Sequence, residues 1–432
     1  MPSMKTLLRD ATVIPMTQHD LYFVGSVGID GSKIAFIGEQ PADFAADETI
    51  DATGMIALPG LVNAHTHLSM VYFRNYKDTV ENLQDWLSEI WPLEDKLIAT
   101  DTYPASQLGI TEMISSGTTC FSDMYFSPEG TCRAVYESGI KANLGITLFS
   151  DLSDSKTCVA DGLPIMEDYA SKSGNRIRYD IAPHAVFTCT ADSYRYAVDF
   201  AREHHCRLNT HLCETRKEVD DCIATHGHSP VEYLQSLGVF DVDTYLAHCV
   251  HLDSRDLDIL AHTGTTVVHN PSSNCKLASG IAPVARMRQA GISLALGTDG
   301  AASNNSLDLF QEIRLAGMIS AVSTGNPVAL KAYDILYMAT AGGAQALGRL
   351  QECGTLEVGK DADIILIDTH TPHLTPLNNP FSALVYAAKS TDVDTVFCQG
   401  RKLMDHRVLL TIDEEAVLRT ADSIWRNIIA RT

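Results

Sequence analysis

The chain has 432 residues, of which 45% are hydrophobic and 20% are charged. This length suits a large barrel with an accessory domain, and the balance is that of a folded globular protein. The formal net charge of −22 repels phosphate backbones and anionic lipid, so we expect neither a nucleic-acid polymer nor a membrane as a partner. A small neutral or zwitterionic ligand remains compatible with this charge.

The sequence also bears on the cellular compartment. The N-terminal segment has no apolar core long enough for a signal peptide, and no apolar run is long enough for a membrane span. The eleven cysteines contain no Cys-x-x-Cys pair, and their odd number does not fit a closed set of disulfides. We therefore expect reduced thiols in a cytoplasmic protein.

Both ends of the chain have the pattern of short strands. Near the N-terminus apolar residues alternate with polar ones, and Asp30-Gly31 is a turn signal typical of a hairpin. A similar texture returns after Lys360, in ADIILIDT and TVFCQGRKLM. We predict that residues 1–58 and 360–432 together form a small β-sandwich domain with a C-terminal helix, and that this helix is a structural cover.

The middle of the chain, residues 59–359, alternates between two kinds of segment. Apolar, β-branched runs such as TTCFSDM and TYLAHCV recur eight times, with helical patterns such as ADSYRYAVDFAREHH and SRDLDILAHTG between them. These two helical patterns begin with plausible N-caps, Thr190 and Ser254. The alternation predicts an α/β fold, a parallel (β/α)₈ barrel of the TIM type. An open doubly wound sheet is the competing layout, but no Gly-x-Gly-x-x-Gly follows the first strand.

Polar residues follow the predicted barrel strands at their carboxyl ends, the edge where catalytic residues of such barrels lie. They follow strands one, five, six and eight, and they are His65, His67, His211, His248 and Asp299. One histidine after an apolar run is more often a core or surface residue. A His-x-His pair is a better signal because alternate strand residues share a face. Together these residues predict a nitrogen-rich site suited to zinc or ferrous iron.

A metal site of this kind suggests hydrolysis. Bound zinc lowers the pKa of its water to about 7 and so supplies hydroxide at neutral pH. Addition to an aromatic amidine carbon also needs a proton on the ring nitrogen, and Glu214 in HLCET is placed to deliver it. We expect Asp299 to ligate the metal and take a proton from the water, and His248 to hydrogen-bond that water and the developing oxyanion. The competing role of Glu214 is a first-turn carboxylate that interacts with a helix dipole.

Two further segments lie at the same edge of the predicted barrel. The run NPSSN after strand seven has turn chemistry, and its position allows contacts to substrate. Asn304 and Asn305 follow Asp299 closely, and we expect them to orient its carboxylate, as outer partners of metal ligands do.

The segments PGLVNAHTHL, NTHLCET, LAHCV, HNPSSNCKLASG and LGTDGAASNN together resemble the amidohydrolase superfamily. Within it they are most similar to the 5-methylthioadenosine/S-adenosylhomocysteine deaminases, a branch shared with the triazine chlorohydrolases. The resemblance covers essentially the whole chain, including GTLEVGKDADIILID near its end. It implies hydrolytic deamination of 5′-methylthioadenosine, S-adenosylhomocysteine or adenosine to the hypoxanthine analogue and ammonia, by an enzyme that we expect to be a homo-oligomer.

The resemblance also implies a cofactor and its ligands. One divalent metal ion per subunit, zinc first among the candidates, would be held by His65, His67, His211 and Asp299. Superfamily members with two metals use a carboxylated lysine at strand four, and YDIAPHAVF has no lysine there, which favours one metal.

The same resemblance implies roles for the remaining site residues. Glu214 maps onto the acid that protonates the ring nitrogen, and His248 onto the histidine that orients the water. The segment WLSEIWPLEDKL resembles the family's stretch that closes over the nucleoside, with Glu94 as acceptor for the ribose hydroxyls and Trp86 as an apolar wall. His184 would hydrogen-bond the purine or ribose edge. From spacing alone, a surface carboxylate for Glu94 and core packing for Trp86 stay open.

The loop after strand three departs from the family pattern. Members that use S-adenosylhomocysteine can hold its amino-acid carboxylate with arginines from this loop, whereas LFSDLSDSKTCVADGLP contains Lys156 and no arginine. An aspartate-rich loop is a poor carboxylate receptor, so we expect methylthioadenosine or adenosine to be the better substrates. The alternatives are an amidohydrolase that acts on guanine, another purine, a pterin or a triazine, and a catalytically silent barrel scaffold.

Overall fold

The structure, a computed structural model, describes residues 4–79 and 83–431. Its strands form two sheets, one of eight parallel strands from the middle of the chain and one of nine strands from both ends. The predicted fold class, a (β/α)₈ barrel with a small β-domain built from both termini, is thereby confirmed. Within the described ranges no helix has the length and apolar character needed to cross a membrane.

The strands are numbered in chain order. Five precede the barrel: β1 (Lys5–Val13), β2 (Phe23–Asp30), β3 (Lys33–Gly38), β4 (Glu48–Asp51) and β5 (Met55–Pro59). Eight form the barrel: β6 (Leu61–Thr66), β7 (Thr118–Tyr125), β8 (Lys141–Leu148), β9 (Ile177–Pro183), β10 (Leu208–Leu212), β11 (Thr244–His248), β12 (Thr266–His269) and β13 (Ser293–Leu296). Four follow it: β14 (Ile364–Asp368), β15 (Val393–Cys398), β16 (Arg401–Asp405) and β17 (Val408–Leu409).

The helices surround the barrel and cover the remaining surface. Seven lie between β6 and β11: α1 (Leu83–Glu94), α2 (Ala99–Ser115), α3 (Pro128–Ser138), α4 (Leu152–Lys172), α5 (Ala191–His204), α6 (Arg216–His226) and α7 (Pro230–Ser236). Eight follow β11: α8 (Ser254–Thr263), α9 (Pro271–Lys276), α10 (Val284–Gln289), α11 (Leu309–Thr324), α12 (Ala332–Met338), α13 (Ala341–Ala346), α14 (Pro380–Tyr386) and α15 (Glu414–Ala430).

The nine-stranded sheet joins the two ends of the chain. Its order is β17-β16-β15-β14-β5-β1-β2-β3, with β4 beside β1, and the junction is the antiparallel pair of β5 with β14. The predicted hairpin at Asp30-Gly31 is present between β2 and β3, and Gly31 has the positive φ of 59° that favours glycine. A core of its own lies against this sheet, including Leu8, Ile29 and Phe397. The division of domains at residues 58 and 360 stays a prediction.

The eight parallel strands run in the order β6 to β13, and the first and last come together where the barrel closes. The backbone N–H of Asp299, just after β13, donates to the carbonyl oxygen of His65 in β6 at 3.0 Å. Every residue of β6, β7 and β8 is buried, as expected for strands covered by helices outside and by packed side chains inside. Closure brings the carboxyl ends of β6, β10, β11 and β13 to one rim.

Helix caps follow the sequence at one of the two predicted positions. Thr190 caps α5, and its hydroxyl accepts the N–H of Ser193 at 3.3 Å. The prediction of Ser254 as the cap of α8 is wrong, because Asp253 takes that position. Asp253 accepts the N–H of Asp256 at 2.9 Å, and Asp256 accepts the N–H of Asp253 at 3.1 Å. A helix capped by Asp253 has an acid, Asp256, three residues after the cap, and the two side chains form a reciprocal capping box. A helix capped by Ser254 would not have an acid at that position.

Candidate metal centre and active site

Two histidines at the rim are held in one orientation by backbone carbonyl groups. The ring Nδ1 of His67 lies 2.7 Å from the carbonyl oxygen of Met124, and that of His211 lies 2.8 Å from the carbonyl oxygen of His184. A carbonyl oxygen can only accept, so both Nδ1 atoms carry the proton and both Nε2 atoms present a lone pair. This is the arrangement that orients imidazole ligands of a metal.

The potential ligand atoms lie at the spacing of a coordination shell. The Nε2 atoms of His67 and His211 are 3.1 Å apart, and Asp299 Oδ1 lies 3.3 Å from His67 Nε2 and 3.6 Å from His65 Nε2. Tetrahedral coordination with metal–nitrogen distances of about 2.0–2.1 Å separates ligand atoms by about 3.3 Å. Two lone pairs that face each other at 3.1 Å repel unless a cation lies between them.

His65 adds an independent sign that this site binds a cation. Both of its ring nitrogens are buried, and neither has a hydrogen-bond partner among the described residues. Burial lowers the pKa of His65 to about 4 and that of His211 well below its ordinary range, so both rings are neutral. Neutral imidazole is the form that binds metal. The donor set therefore fits a divalent ion, and the ligand atoms of a buried His₃Asp group lie within 4.8 Å of one another: His65, His211, His248 and Asp299.

Asp299 is fixed by a strained backbone and by two serine hydroxyls. Its φ is 63°, in the left-handed region that a residue with a side chain rarely adopts. Ser273 and Ser303 donate their hydroxyls to Oδ2 at 2.5 and 2.7 Å, which leaves Oδ1 directed toward His65 and His67. Burial raises the pKa of Asp299, but the adjacent imidazoles outweigh it and hold the pKa well below its ordinary value.

The expectation that Asn304 and Asn305 orient Asp299 is wrong. The Asn304 amide donates to the carbonyl oxygen of Thr298 at 2.7 Å and to Glu312 at 2.8 Å. The Asn305 amide donates to Asp78 at 2.8 Å, away from the carboxylate of Asp299. Serine hydroxyls reach Asp299 instead because they are short enough to lie beside a buried carboxylate.

Glu214 and His248 face each other across the same cavity. His248 Nε2 lies 3.8 Å from Glu214 Oε2, and its Nδ1 lies 2.8 Å from the amide oxygen of Asn274, to which it donates. The Ser279 hydroxyl donates to Glu214 Oε1 at 3.2 Å. Burial raises the pKa of Glu214, a shift toward the protonated carboxyl group that a proton donor needs. Burial lowers the pKa of His248, but the Glu214 and Asp299 carboxylates outweigh it, and the net shift is upward.

Glu218 holds the backbone of this acid in place. Its two carboxylate oxygens accept the N–H groups of Cys213 and Glu214 at 2.9 and 2.8 Å, and Cys213 adopts a φ of 51°. Sequence reasoning missed this residue, although a signal was available. Thr215-x-x-Glu218 has the spacing of a capping box at the start of α6, and Thr215 is indeed the cap.

Eight of the nine predicted site residues line one cavity. Its lining includes His67, Trp86, Glu94, His184, His211, Glu214, His248 and Asp299. His65 is fully buried beside them. Their individual roles stay predictions, whereas their convergence on one cavity is observed.

The three residues expected to contact the nucleoside have distinct surroundings. Glu94 Oε1 accepts the hydroxyl of Tyr125 at 2.8 Å, and burial raises the pKa of Glu94. Burial lowers the pKa of His184 to about 3, and this neutral ring stacks on Phe149 with centroids 4.4 Å apart. Trp86 is buried, and its indole Nε1 has no partner among the described residues.

Comparison with known proteins places this site in a family. Residues 56–403 match the model of the amidohydrolase family. The chain is 44% identical to a 5-methylthioadenosine/S-adenosylhomocysteine deaminase of Desulforudis audaxviator, with 99% of each chain covered. It is 42% identical to a 5′-deoxyadenosine deaminase of Methanothermobacter thermautotrophicus, with 92% of this chain and 93% of that one covered. Among solved structures, a zinc-bound adenosine deaminase of Xanthomonas campestris has a TM-score of 0.94 at 30% identity, with both chains fully covered.

Proposed function

Because this chain belongs to the amidohydrolase family, we propose that it removes the exocyclic amine of adenine nucleosides by hydrolysis, giving the hypoxanthine analogue and ammonia. The observation that carries the proposal is the meeting of a His₃Asp donor set and a buried glutamic acid at one cavity. The names of the similar deaminases indicate the adenine nucleoside as the substrate class.

The metal ligands of this proposal are His65, His67, His211 and Asp299, holding one divalent ion, zinc. We choose His67 over His248 because His67 Nε2 lies 3.1 and 3.3 Å from two other ligand atoms, whereas His248 Nε2 faces Glu214. A divalent ion held there acidifies water, so that hydroxide is available at neutral pH.

The chain's own residues then move the protons. Water adds across the bond between the amine-bearing carbon and the adjacent ring nitrogen, and Glu214 gives that nitrogen its proton. His248, fixed by Asn274, orients the water and hydrogen-bonds the oxygen that gains charge. Asp299 accepts a proton from the water. Loss of ammonia restores the aromatic ring: the proton on Asp299 reaches the departing amine through His248, and Glu214 takes back the proton of the added hydroxyl group.

The nucleoside lies between the metal ligands and α1 in this proposal. Glu94 accepts the ribose hydroxyls, His184 hydrogen-bonds the purine or ribose edge, and Trp86 forms a wall of the cavity. We propose methylthioadenosine and adenosine as better substrates than S-adenosylhomocysteine, because the segment after β8 offers no arginine for a carboxylate. Most of this segment, expected from the sequence to be a loop, forms α4.

The decisive test is Glu214→Gln, which keeps the size of the side chain and removes its acidic proton. We expect turnover of adenosine, followed by ultraviolet absorbance, to fall about 10²–10⁴-fold. Elemental analysis should find the metal content unchanged, since Glu214 is not a proposed ligand. Glu203→Gln, at an exposed position of α5, is the matched control and should be fully active. A fully active Glu214→Gln variant would remove this residue from the mechanism.

We also propose that the enzyme is a cytoplasmic homo-oligomer. All eleven cysteines are free thiols, the form that a reducing compartment maintains. Exposed apolar side chains on and just after α11 support an interface between copies: Met318, Val322 and Val328. Sedimentation of the purified protein would show a single subunit mass if this interface does not exist.

A further inference from the structure

A second cavity of about 700 Å³ opens directly outward from the catalytic one. The two share part of their lining: Trp91, Glu94, Tyr125, Phe126, Phe149 and Phe187. We call this second space the outer cavity. Glu94, the proposed acceptor of the ribose hydroxyls, lies at the boundary between the two. A nucleoside whose ribose is held by Glu94 therefore has a route for its 5′-substituent into the outer cavity.

The wall of the outer cavity is aromatic. Phe126, Phe149 and Phe187 come from the loops after β7, β8 and β9, and Trp91 comes from α1. The rings of Phe126 and Phe149 lie 5.2 Å apart, and Phe149 stacks on His184. These contacts build a continuous surface that runs from the outer cavity to the proposed purine site.

Much of this aromatic surface is open to solvent. The exposed fractions of Trp91, Phe126 and Phe187 are 38%, 42% and 46%. Large apolar side chains that cluster in an exposed concave surface mark a binding site, because their burial against a ligand releases water. Aromatic rings also gain from edge-to-face or offset contact with a further ring.

The charge of the outer cavity excludes one class of substituent. Its lining contains the carboxylates of Glu94 and Asp95, and it contains no lysine, arginine or histidine among the described residues. The ammonium of a homocysteinyl group can pair with these carboxylates, but its own carboxylate would lose hydration there without gaining a cationic partner. An uncharged thioether with an apolar end carries no such penalty.

We infer that the outer cavity binds an apolar 5′-substituent, so that adenosines with a bulky alkylthio or arylthio group at the 5′ position are preferred substrates. This inference rests on the proposed function, since it concerns the same site. The substituent packs against Phe126 and Phe187, and the catalytic residues act on the adenine ring as they do for adenosine.

The first experiment compares kcat/KM for adenosine, 5′-methylthioadenosine, 5′-phenylthioadenosine and S-adenosylhomocysteine, each followed by ultraviolet absorbance. We expect the phenylthio compound to equal or exceed the methylthio compound and to exceed S-adenosylhomocysteine at least 10-fold. If adenosine and all its derivatives are inert, the proposed function fails and this inference fails with it. If adenosine is deaminated but S-adenosylhomocysteine is preferred over the phenylthio compound, only this inference is overturned.

The second experiment tests the wall itself. Phe126→Ala and Phe187→Ala should each lower kcat/KM for the phenylthio compound about 3- to 10-fold, the range expected for losing one aromatic contact. Because both side chains also line the catalytic cavity, turnover of adenosine serves as a reference and should fall less than turnover of the phenylthio compound. Tyr22→Ala is the matched control, because Tyr22 is 49% exposed on the nine-stranded-sheet side of the chain, outside the cavity lining. Unchanged substrate ranking in both phenylalanine variants would overturn the inference.

A charge variant separates the electrostatic part of the argument. Asp95→Arg places a cation in the lining of the outer cavity and should raise kcat/KM for S-adenosylhomocysteine relative to the phenylthio compound. Sedimentation of the same variants identifies the competing occupant. If Phe126→Ala or Phe187→Ala changes the number of subunits in the sedimenting species and leaves the substrate ranking intact, the aromatic face is an interface between copies. The inference is then wrong.

Discussion

Both ends of the barrel bury charged side chains, but only at one end are these side chains paired with opposite charges of the same chain. At the end opposite the active site, Lys141 begins β8 with no exposed surface, and its ammonium group donates to Asp361 at 2.7 Å and to Asp363. Nearby, the fully buried Arg349 donates to Asn143 at 2.7 Å and to three carbonyl oxygens. At the catalytic rim, the imidazoles and Asp299 point their lone pairs at one another instead.

This difference separates a structural role from a functional one. Buried polar groups that find all their partners inside the chain fix the packing of the elements that carry them. Here Lys141 of the barrel and the two aspartates near β14 join the barrel to the nine-stranded sheet. Groups that stay unpartnered after folding, such as both ring nitrogens of His65, mark a place for something outside the chain. The contrast yields three predictions, from the largest expected effect to the smallest.

Removal of the metal should have the largest effect, because it leaves the catalytic rim without its proposed cation. Dialysis against a chelator should reduce deaminase activity to background, and added zinc should restore it. Zinc at 1,000 times its dissociation constant should also raise the free energy of unfolding by about 4 kcal/mol. Activity assays and thermal unfolding with and without zinc measure both effects. Chelated protein that keeps full activity would contradict the metal assignment.

The second prediction concerns the buried ion pairs at the opposite end of the barrel. Lys141→Met leaves Asp363 buried without a cation, whereas Asp361 keeps Lys33, whose Nζ lies 2.7 Å from Oδ1. The loss should lower the free energy of unfolding by about 3–5 kcal/mol. The metal content of the folded fraction should not change, since the site lies at the other rim. Urea unfolding and elemental analysis measure the two effects.

A matched control for this variant is Lys172→Met. Lys172 pairs with Asp168 one turn earlier on α4, where both side chains are more than half exposed, so its removal should leave the unfolding curve nearly unchanged. Equal effects of the two substitutions would show that burial of the ion pair does not determine its contribution to stability.

The third prediction concerns Glu312 on α11, which joins the two loops beside the metal site. Its carboxylate accepts the N–H of Ser272 at 3.0 Å and the amide of Asn304 at 2.8 Å. Burial raises the pKa of Glu312 from 4.5 to about 7. A raised pKa in the folded state means that its contribution to stability is full below pH 4.5 and is lost as the pH rises through 7.

Glu312→Gln removes this titration. Between pH 4.5 and 8 the free energy of unfolding of the original protein should therefore fall relative to the variant, by up to about 3 kcal/mol. Urea unfolding at both pH values measures the difference, and other titrating groups cancel because they are common to both proteins. Parallel pH profiles of the two proteins would show that folding does not shift the pKa of Glu312.

The strongest patterns of the sequence predicted the fold. Eight β-branched runs separated by helical patterns gave the barrel, because side-chain periodicity is a local property. The strands at both ends were visible for the same reason. The cap of α8 was assigned one residue late, since Asp253 and Ser254 are both good caps and only the register of the helix selects between them.

The site was predictable where a residue lies next to a strand end, and it was not where a contact joins distant segments. His65, His67 and His211 directly follow or end barrel strands, so the topology alone places them together. The hydroxyls of Ser273 and Ser303 reach Asp299 from two different loops. No spacing in the sequence states that both loops approach one carboxylate, and the neighbouring asparagines looked equally suitable.

By itself the sequence determined the kinds of element, their order and the ligand chemistry that imidazoles and carboxylates can offer. Only the tertiary structure decided which buried groups find partners. Barrel closure sets the 3.1 Å between the Nε2 atoms of His67 and His211. The left-handed backbone at His248 and Asp299 and the aromatic outer cavity are likewise features of the folded chain. The physical reason is that periodicity acts along the chain, whereas desolvation and hydrogen bonding depend on which segments meet in space.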